Sequence, residues 1–377
     1  MKVLCCANSF KGSLSAQRAC EAMASGAAQA RCDSVLLPIS DGGDGFLQSM
    51  MAAAGGELRS SVVSGPTGEP VNARWGVTKE GVGVIEMAEC AGLQLASAQP
   101  LAPLTATTRG VGELILEAAG AGCRHIVVGL GGSATTDAGS GMLRALGVRL
   151  LDSKGLEVSE GGVALRQVCS IDTSGWALSK EITIEAACDV DNPMIGPQGA
   201  ARIYAPQKGA SQHDVAVLEE GLTAFATLMP GINGTPAERI PGGGAAGGLG
   251  AALASFCGAS LTPGSELILD ALHFDQHCAK CNVVLTGEGS IDGQTVRGKA
   301  VSAVAQRACQ LGIPVIALAG RVDREAEETL KAVGLTSCIS ITDGPMTAEQ
   351  AMKDAYRLIE TASTRILCVV VAATRRG

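Results

Sequence analysis

Aromatic side chains and excess positive charge are both scarce in this chain of 377 residues. Aromatic residues make up 2% of the sequence, and the formal net charge at pH 7 is −8. Proteins that bind nucleic acids depend on basic patches to bind phosphates and on aromatic rings to stack bases. We therefore expect no nucleic-acid partner. Any anionic ligand must be bound by local cations, because the overall charge repels it.

Long apolar runs are also missing from the sequence. No uninterrupted apolar stretch approaches the ~18 residues that a membrane-spanning helix needs, and the first residues lack the pattern of a signal peptide. The fourteen cysteines are scattered through apolar segments, as is typical of reduced core residues in a cytosolic protein. The sequence therefore predicts a cytoplasmic protein with no membrane partner.

Two further classes of site are poorly supported by the sequence. Cys278 and Cys281 form a single CxxC pair, and no second pair at ligand spacing completes a tetrahedral zinc site. No G-x-S-x-G elbow is present, and the four histidines stand outside the glycine-rich loops. We expect neither a zinc site nor Ser-His hydrolase chemistry.

Glycine, by contrast, is abundant, with 50 residues in the chain. Four glycine-rich loops each carry at least one carboxylate, and the densest glycine run spans residues 241–250. Each glycine weakens a regular element by about 0.5–1 kcal/mol, so such runs need a reason. The usual reason is that glycine lets several backbone amides converge on a phosphate oxygen. The sequence thus favours an enzyme that acts on phosphorylated ligands.

Strand and helix patterns alternate along the chain. Short apolar runs rich in β-branched residues precede Ala-rich amphipathic stretches at residues 3–7 and 16–30, 125–129 and 137–146, and 283–286 and 299–311. This order predicts an α/β protein with mainly parallel sheets. Residues 61–84 differ, because a Gly-Pro-Thr-Gly turn joins two alternating runs in the manner of an antiparallel hairpin.

The length of the chain predicts two α/β domains. Because residues 313–333 resemble the opening strand and helix more than the middle of the chain does, we expect one domain to be discontinuous. It would comprise residues 1–62 and 294–377, with residues 63–293 inserted and the active site in the cleft between the domains. Residues 368–377 form an apolar run that predicts either a final strand or a poorly ordered tail.

The loop at residues 129–137 follows a buried strand and is rich in hydrogen-bond donors. Amides of Gly131 and Gly132, together with hydroxyls such as that of Ser133, would form an anion cradle. A tight turn without a ligand is one alternative. Another is the dinucleotide fingerprint of an NAD-dependent dehydrogenase, which residues 129–134 fit and in which Asp152 would bind the ribose.

Two carboxylates, Asp189 and Asp191, follow a predicted strand at residues 182–186. At a strand end this spacing is suited to Mg²⁺, which prefers carboxylate oxygens. An Asx turn before Pro193 explains the same residues without a metal.

Cations and further carboxylates flank the other loops. Lys11, Arg109 and Lys208 each stand beside glycine or hydroxyl residues, and Asp41, Glu288 and Asp292 lie in glycine-rich turns. Phosphoryl transfer needs anion cradles, cations, magnesium carboxylates and one base, and all of these are present.

Taken together, the motifs resemble those of the bacterial glycerate kinase type 1 family. The matching segments are Ser9-Phe-Lys-Gly-Ser-Leu14, Asp41-Gly-Gly, Thr108-Arg-Gly-Val-Gly-Glu-Leu-Ile115, Gly129-Leu-Gly-Gly-Ser-Ala-Thr135, Ala187-Cys-Asp-Val-Asp-Asn-Pro193, Gln207-Lys-Gly209, Pro241-Gly-Gly-Gly-Ala-Ala-Gly-Gly248 and Thr286-Gly-Glu-Gly-Ser-Ile-Asp-Gly-Gln-Thr295. The resemblance implies ATP-dependent phosphorylation of glycerate with magnesium, usually to 2-phosphoglycerate. It also implies a two-domain α/β fold. One departure is Asn8, where the family usually has Asp.

The kinase hypothesis assigns a role to each candidate residue. Arg109 or Lys11 would pair with the glycerate carboxylate, with Ser9 beside them, and Lys208 would neutralise developing charge. The phosphates of ATP would lie on Gly131, Gly132, Ser133, Gly242, Gly243 and Gly244, and Mg²⁺ on Asp189 and Asp191. Asp41 is the first candidate for the base, with Glu288 and Asp292 as rivals.

Three classes of function stay open from sequence alone. They are a glycerate kinase, an NAD-dependent dehydrogenase and a non-catalytic metabolite-binding protein. A homo-oligomer is compatible with each of them.

Overall fold

The chain folds as an α/β protein, seen here in a computed structural model that describes residues 1–39, 45–96, 101–293, 295 and 300–374. The strands are β1 (Lys2–Ala7), β2 (Asp33–Leu36), β3 (Gly56–Ser64), β4 (Pro70–Thr78), β5 (Gly83–Glu86), β6 (His125–Gly129), β7 (Arg149–Leu151), β8 (Ser170–Asp172), β9 (Thr183–Ala187), β10 (Ser260–Thr262), β11 (Val283–Ile291), β12 (Val315–Val322) and β13 (Ser337–Ser340). Most strand pairs are parallel, which confirms the predicted fold class.

Helices connect most of these strands. They are α1 (Ala16–Gln29), α2 (Phe46–Ala54), α3 (Ala88–Ala91), α4 (Leu93–Ala96), α5 (Arg109–Gly120), α6 (Ser140–Ala145), α7 (Ala200–Tyr204), α8 (Gln212–Ala226), α9 (Ala245–Cys257), α10 (Gly264–Ala271), α11 (Phe274–Cys278), α12 (Ala300–Gln310), α13 (Arg324–Ala332), α14 (Ala348–Lys353) and α15 (Ala355–Thr374). Short 3₁₀ helices span Gly162–Gln167, Pro206–Lys208 and Ala237–Arg239. Across the described residues, no helix is both long enough and apolar enough to span a bilayer.

The first compact unit, which we call the terminal unit, combines Met1–Asp41 with Ser265–Gly377. Its five strands form a parallel sheet in the order β13-β12-β11-β1-β2. Side chains of β1 alternate between two cores, as the period of a strand requires. Leu4 belongs to the core that includes α12, and Val3 belongs to the core that includes α1 and α15. Helices therefore cover both faces of this sheet.

The second compact unit, the middle unit, comprises Gly42–Gly264. Its main sheet has six strands in the order β10-β9-β6-β5-β4-β3. The strands β10, β9, β6 and β5 are parallel, whereas β4 and β3 form the antiparallel hairpin that the sequence predicts at residues 61–84. A separate two-stranded sheet pairs β7 with β8.

The division into units differs from the predicted boundaries at 62/63 and 293/294. A break after residue 62 would cut β3, which pairs with β4 along its whole length. A break after residue 293 would separate β11 from β1, whose backbones pair from Val3↔Val283 to Ala7↔Gly287. The two compact units instead divide at 41/42 and 264/265.

The carboxyl-terminal segment also differs from its prediction. Residues 368–374 lie in α15, and neither a strand nor a loose tail forms there. Apolar residues at helical spacing, such as Leu358, Ile359 and Leu367, are fully buried against the terminal unit. At Gly26 of α1 an added Cβ would lie 2.5 Å from the carbonyl oxygen of Glu360, so α1 and α15 pack closely.

Candidate active site

A cavity of about 220 Å³ lies in the middle unit where the parallel strands β6 and β9 end. We call it the Lys208 cavity. Ligands of parallel sheets bind at this end of the strands. Its walls are formed by Leu93, Leu130, Gly131, Gly132, Ser133, Ala187, Cys188, Asp189, Val190, Tyr204, Gln207, Lys208, Ala245 and Ala246. The structure thus gathers predicted phosphate-binding, metal-binding and catalytic residues on one cavity.

Lys208 is the buried cation of this cavity. The side chain is 2% exposed and stands at the end of the 3₁₀ helix Pro206–Lys208. Its Nζ donates hydrogen bonds to the carbonyl oxygen of Thr135 and, over 3.4 Å, to Oγ of Ser133. Burial lowers the pKa of Lys208 to about 7, although the nearby Asp137 charge acts in the opposite direction. An entering anion would therefore restore a full positive charge on this amine.

Asp137 fixes the loop that carries Ser133. Its fully buried carboxylate accepts hydrogen bonds from the amide and the hydroxyl of Thr108, both at 2.9 Å. The amides of Gly139 and Gly141 also donate to it, each over 3.1 Å. Burial raises the pKa of Asp137, and these hydrogen bonds oppose the rise. Asp137 thus accepts hydrogen bonds from amides at the start of α6 and ties this helix to the start of α5.

The glycine loop after β6 forms one wall of the cavity. Gly132 has a φ of +71°, a conformation that favours glycine. Ser133 is buried, and its Oγ accepts a hydrogen bond from the Thr135 amide over 3.2 Å. Gly131, Gly132 and Ser133 therefore lie together where the sequence predicts a phosphate cradle.

The two predicted metal ligands have different positions. Asp189 lines the Lys208 cavity, and one of its carboxylate oxygens accepts a hydrogen bond from the Gly264 amide over 2.8 Å. Both residues are exposed, but Asp191 does not line the cavity. Within the described ranges, no group of three His, Cys, Asp or Glu side chains is arranged to hold a metal. Mg²⁺ commonly takes one or two carboxylates and completes its shell with phosphates and water, so Asp189 fits a nucleotide-bound ion.

The glycine run at residues 241–250 packs closely against other segments of the middle unit. Gly242, Gly243 and Gly244 do not line the cavity; Ala245 and Ala246 do. The amides of Gly243 and Gly244 donate to carbonyl oxygens of Ile240 and Asn192, both over 2.9 Å, so they are engaged within the protein.

Close packing explains why glycine is needed in this run. A Cβ on Gly244 would lie 2.3 Å from the carbonyl oxygen of Pro193, and one on Gly242 would lie 3.0 Å from Sγ of Cys188. The run therefore supports the loop that carries Asp189.

The dehydrogenase alternative is wrong. A dinucleotide fold requires the strand after the glycine turn to join the same parallel sheet. Here β7 pairs antiparallel with β8 in a separate sheet, and the parallel neighbours of β6 are β5 and β9. Asp152 accepts hydrogen bonds from the amides of Lys154 and Leu156 in an exposed turn.

A second cavity, of about 310 Å³, lies in the terminal unit, and we call it the Lys11 cavity. Its lining residues are Ser9, Phe10, Lys11, Ser13, Glu288, Gly289, Ser290, Asp292, Thr295, Gly320, Ile341, Ala351, Met352 and Ala355. Four predicted site residues, distant in sequence, thus meet here: Ser9, Lys11, Glu288 and Asp292. They meet because β1 and β11 are parallel neighbours.

Thr295 holds the acidic side of the Lys11 cavity. Its hydroxyl is buried and donates a 2.6 Å hydrogen bond to Oε1 of Glu288. The Thr295 hydroxyl oxygen in turn accepts a hydrogen bond from the Asp292 amide over 3.2 Å. Sequence reasoning included Thr295 in a motif but gave it no role, although a hydroxyl three residues after Asp292 is a signal for such a turn. Residues of α14 and α15 were also missed.

The predicted substrate-binding residue Arg109 lies in neither cavity. The Arg109 guanidinium is bound to Glu160, with an Nε–Oε1 distance of 2.6 Å, and Arg109 lies outside both sets of lining residues. Asp41 lies outside the described residues.

Asn8 is 4% exposed, and its Oδ1 accepts a hydrogen bond from the Ser9 amide over 2.7 Å. An aspartate at this position would accept the same bond.

Comparisons with known proteins agree with one another. A family model described as "Glycerate kinase family" matches residues 3–371. The chain is 40% identical to Glycerate 2-kinase of Escherichia coli (strain K12), covering 100% of both chains. It is 41% identical to Glycerate kinase of Bacillus subtilis (strain 168), covering 99% of this chain and 98% of the relative.

The same similarity extends to a solved structure. A crystal structure from Salmonella typhimurium LT2, provisionally assigned as glycerate kinase 2, superimposes with a TM-score of 0.84 at 38% identity. The match covers 100% of this chain and 99% of the other.

Proposed function

Because the chain belongs to the glycerate kinase family, we propose that it transfers the γ-phosphoryl group of ATP to glycerate and yields 2-phosphoglycerate. The observation that carries this proposal is the Lys208 cavity. It combines a buried amine, a glycine loop with a buried hydroxyl, and one carboxylate at a strand end. Phosphoryl transfer is catalysed mainly by positioning and charge stabilisation, for which these groups are suited.

The Lys208 cavity would bind the phosphates of ATP. Backbone amides at Gly131 and Gly132 and the hydroxyl of Ser133 are donors for phosphate oxygens. Lys208 would pair with the charge that develops on the transferred group, at a site where burial strengthens the attraction. Asp189 would hold Mg²⁺, which supplies positive charge to the phosphate oxygens when bound.

The Lys11 cavity would bind glycerate. Lys11 and the Ser9 hydroxyl are suited to the carboxylate of this substrate, and Glu288 and Asp292 are suited to its hydroxyls. Thr295 orients Glu288 by its hydrogen bond. Their position in this cavity supports Glu288 and Asp292 as candidates for the base that takes the hydroxyl proton, and Asp41 stays a further candidate.

An assay of ADP release across small hydroxy acids tests this function. We expect turnover with glycerate and ATP, dependent on Mg²⁺, and little with glycolate or lactate, each of which lacks one of the two hydroxyls. Phosphorus NMR of the product distinguishes a 2-phosphate from a 3-phosphate. Glycerate binding without ADP release would support a non-catalytic binding protein instead, and a 3-phosphate would refute the proposed position.

A variant pair ties the assay to the Lys208 cavity. Lys208→Met should reduce kcat by about 10²–10³-fold, as losses of single charge-stabilising groups do. Lys154→Met, at an exposed lysine of the same unit, should leave kcat unchanged. Equal kcat values of the two variants would show that Lys208 has no role in the reaction.

A further inference from the structure

The strand β3 is an unusually long sheet edge. It has nine residues, whereas the other edge strands of the two large sheets, β2, β13 and β10, have four, four and three. Long edges attract additional strands, and proteins commonly protect them with proline, lysine or bulges. β3 contains neither proline nor lysine, and it pairs with β4 residue by residue.

The hairpin register determines which backbone groups of β3 point outward. The Gly65 amide donates to the Glu69 carbonyl oxygen over 2.7 Å, one step beyond the Ser64↔Pro70 pair. In an antiparallel pair, residues that bond the neighbouring strand alternate with residues that do not. The odd-numbered residues of β3 therefore bond β4. The even-numbered residues direct their N–H and C=O groups away from it, in agreement with the absence of an N–H on Pro70.

The even-numbered residues provide the outward groups of this edge. The Ser64 amide is engaged, because it donates to Oε2 of Glu113 over 2.6 Å. Gly56, Leu58, Ser60 and Val62 remain, and in the described part of the chain no second strand pairs with their outward side. The side chains of Leu58 and Val62 are 52% and 74% exposed. An apolar, hydrogen-bonding strip is thus presented on one edge.

We propose that β3 pairs antiparallel with β3 of a second copy of this chain, about a twofold axis at Ser60. Each Ser60 then bonds Ser60 of the partner subunit. Leu58 bonds Val62 of the partner subunit, and Val62 bonds the partner's Leu58. The outward groups of all three residues are satisfied, and the two exposed apolar side chains meet on one face. Such self-complementarity is what a twofold interface requires.

Neighbouring registers fit less well. An axis at Arg59 places this arginine opposite Arg59 of the partner subunit, and like charges in direct opposition are unfavourable. An axis at Ser61 pairs Leu58 with the partner's Ser64, whose amide is already engaged by Glu113. The register centred on Ser60 avoids the arginine pair and places the engaged Ser64 amide at the end of the ladder, opposite Gly56 of the partner subunit.

Charge complementarity supports the same register on the other face of β3. There Arg59 stands opposite Ser61 of the partner subunit, and in this chain the Ser61 hydroxyl lies 3.1 Å from Oε2 of Glu117. Arg59 of one copy thereby reaches Glu117 of the partner subunit, twice per dimer. A groove of about 610 Å³ between β3 and the end of α5, lined by Arg59, Ser61 and Glu117 among others, accommodates the added strand.

Sedimentation velocity of the full chain tests the interface with a matched pair of variants. We expect wild type to be a dimer at about 10 µM, and Ser60→Pro to weaken the dimer at least about 10-fold, because two central hydrogen bonds are lost. The Ser60 N–H does not bond β4, so proline is compatible with this edge. Ser60→Ala also loses the side-chain bond to Asn72 but keeps the backbone, and should remain dimeric.

A charge exchange tests the register. Arg59→Glu and Glu117→Arg should each weaken the dimer, and the double variant should restore it. Val62→Lys should also weaken it, whereas Leu156→Lys, at another exposed apolar residue, should not. Circular dichroism reports folding of each variant. A wild-type monomer up to about 100 µM, a dimer unaffected by Ser60→Pro or Val62→Lys, or a double variant no tighter than either single one would overturn the proposal.

Discussion

Lys208 shows how burial prepares a charged residue for a ligand. Removal from water lowers the pKa of its amine to about 7. In the free protein the Lys208 amine is therefore only partly protonated near neutral pH. Its position could be predicted only in part. The Gln-Lys-Gly motif marks it, but the contacts with Thr135 and Ser133 arise from chain segments more than seventy residues away.

The lowered pKa of Lys208 predicts how stability varies with pH. Between about pH 7 and the unfolded value near 10.5, the unfolded chain binds more protons than the folded chain, so the free energy of unfolding rises with pH. From about pH 7 to pH 9 the gain from this residue is on the order of 2–3 kcal/mol. The Lys208→Met variant should lack this gain in the free energy of unfolding. Thermal unfolding of both proteins at the two pH values measures the difference, and parallel pH profiles would contradict the burial effect.

Lys11 and Arg109 are distinguished by their partners. Lys11 lines the Lys11 cavity, whereas Arg109 is bound to Glu160. Lys11→Met should raise KM for glycerate by about 10-fold or more, as loss of a charged hydrogen bond does. Arg109→Met should leave KM unchanged. Steady-state kinetics at saturating ATP measure KM for glycerate in both variants. A larger rise of KM in Arg109→Met than in Lys11→Met would indicate that Arg109 binds the substrate carboxylate.

At the scale of elements, the sequence predicts those strands that are buried on both faces. β1 and β6 are short apolar runs of this kind, and their predicted bounds, 3–7 and 125–129, agree with the observed strands to within one residue. α15 was missed because the β-branched residues 369–371 favour a strand locally, while the helix is stabilised by distant packing on α1. The local propensity of residues 369–371 carries no information about this packing between α15 and α1.

The glycine run at residues 241–250 marks the limit of composition as a guide to a site. A glycine-rich composition indicates that the backbone approaches another group closely. It does not show whether that group is a phosphate or another segment of the same protein. Here Gly244 approaches the carbonyl oxygen of Pro193. For the loop after β6, the prediction of a phosphate cradle rests on a further signal, because glycine and hydroxyls follow a buried strand directly, where ligands of parallel sheets bind.

Gly244→Ala tests the supporting role of this run. The new Cβ would lie 2.3 Å from the Pro193 carbonyl oxygen, so the loop carrying Asp189 must move. We expect a loss of about 1–3 kcal/mol in the free energy of unfolding together with weaker Mg²⁺-ADP binding. Gly344→Ala, where nothing lies within 4 Å, is the matched control and should be nearly neutral. Calorimetric titration and chemical denaturation measure both variants. Unchanged Mg²⁺-ADP affinity in Gly244→Ala would separate the run from the site.

At the scale of the whole molecule, each cavity belongs to one unit with its own core. The Lys208 cavity is formed entirely by residues of the middle unit, and the Lys11 cavity entirely by residues of the terminal unit. The sequence predicts two domains but misplaces both boundaries, because pairing between β1 and β11 is a contact across more than 270 residues.

Hydrogen exchange of the full chain should therefore separate the two ligands. Mg²⁺-ADP should slow exchange at residues 130–136 and 187–190, and glycerate should slow it at residues 9–14 and 287–292. The reason is that bound ligands suppress local opening where they bind. Lys208→Met should reduce the effect of the nucleotide without changing that of glycerate. Protection of residues 130–136 by glycerate would indicate that glycerate, and not the nucleotide, binds in the Lys208 cavity.

The position of β1 within its sheet also affects how the protein is made. β1 leaves the ribosome well before its neighbour β11, which begins only at Val283. At about 5–20 residues per second, this apolar strand waits for tens of seconds, while Gly42–Gly264 emerges and becomes able to fold. One side of β1 thus stays open for much of translation, and a chaperone that binds exposed apolar segments would find it there.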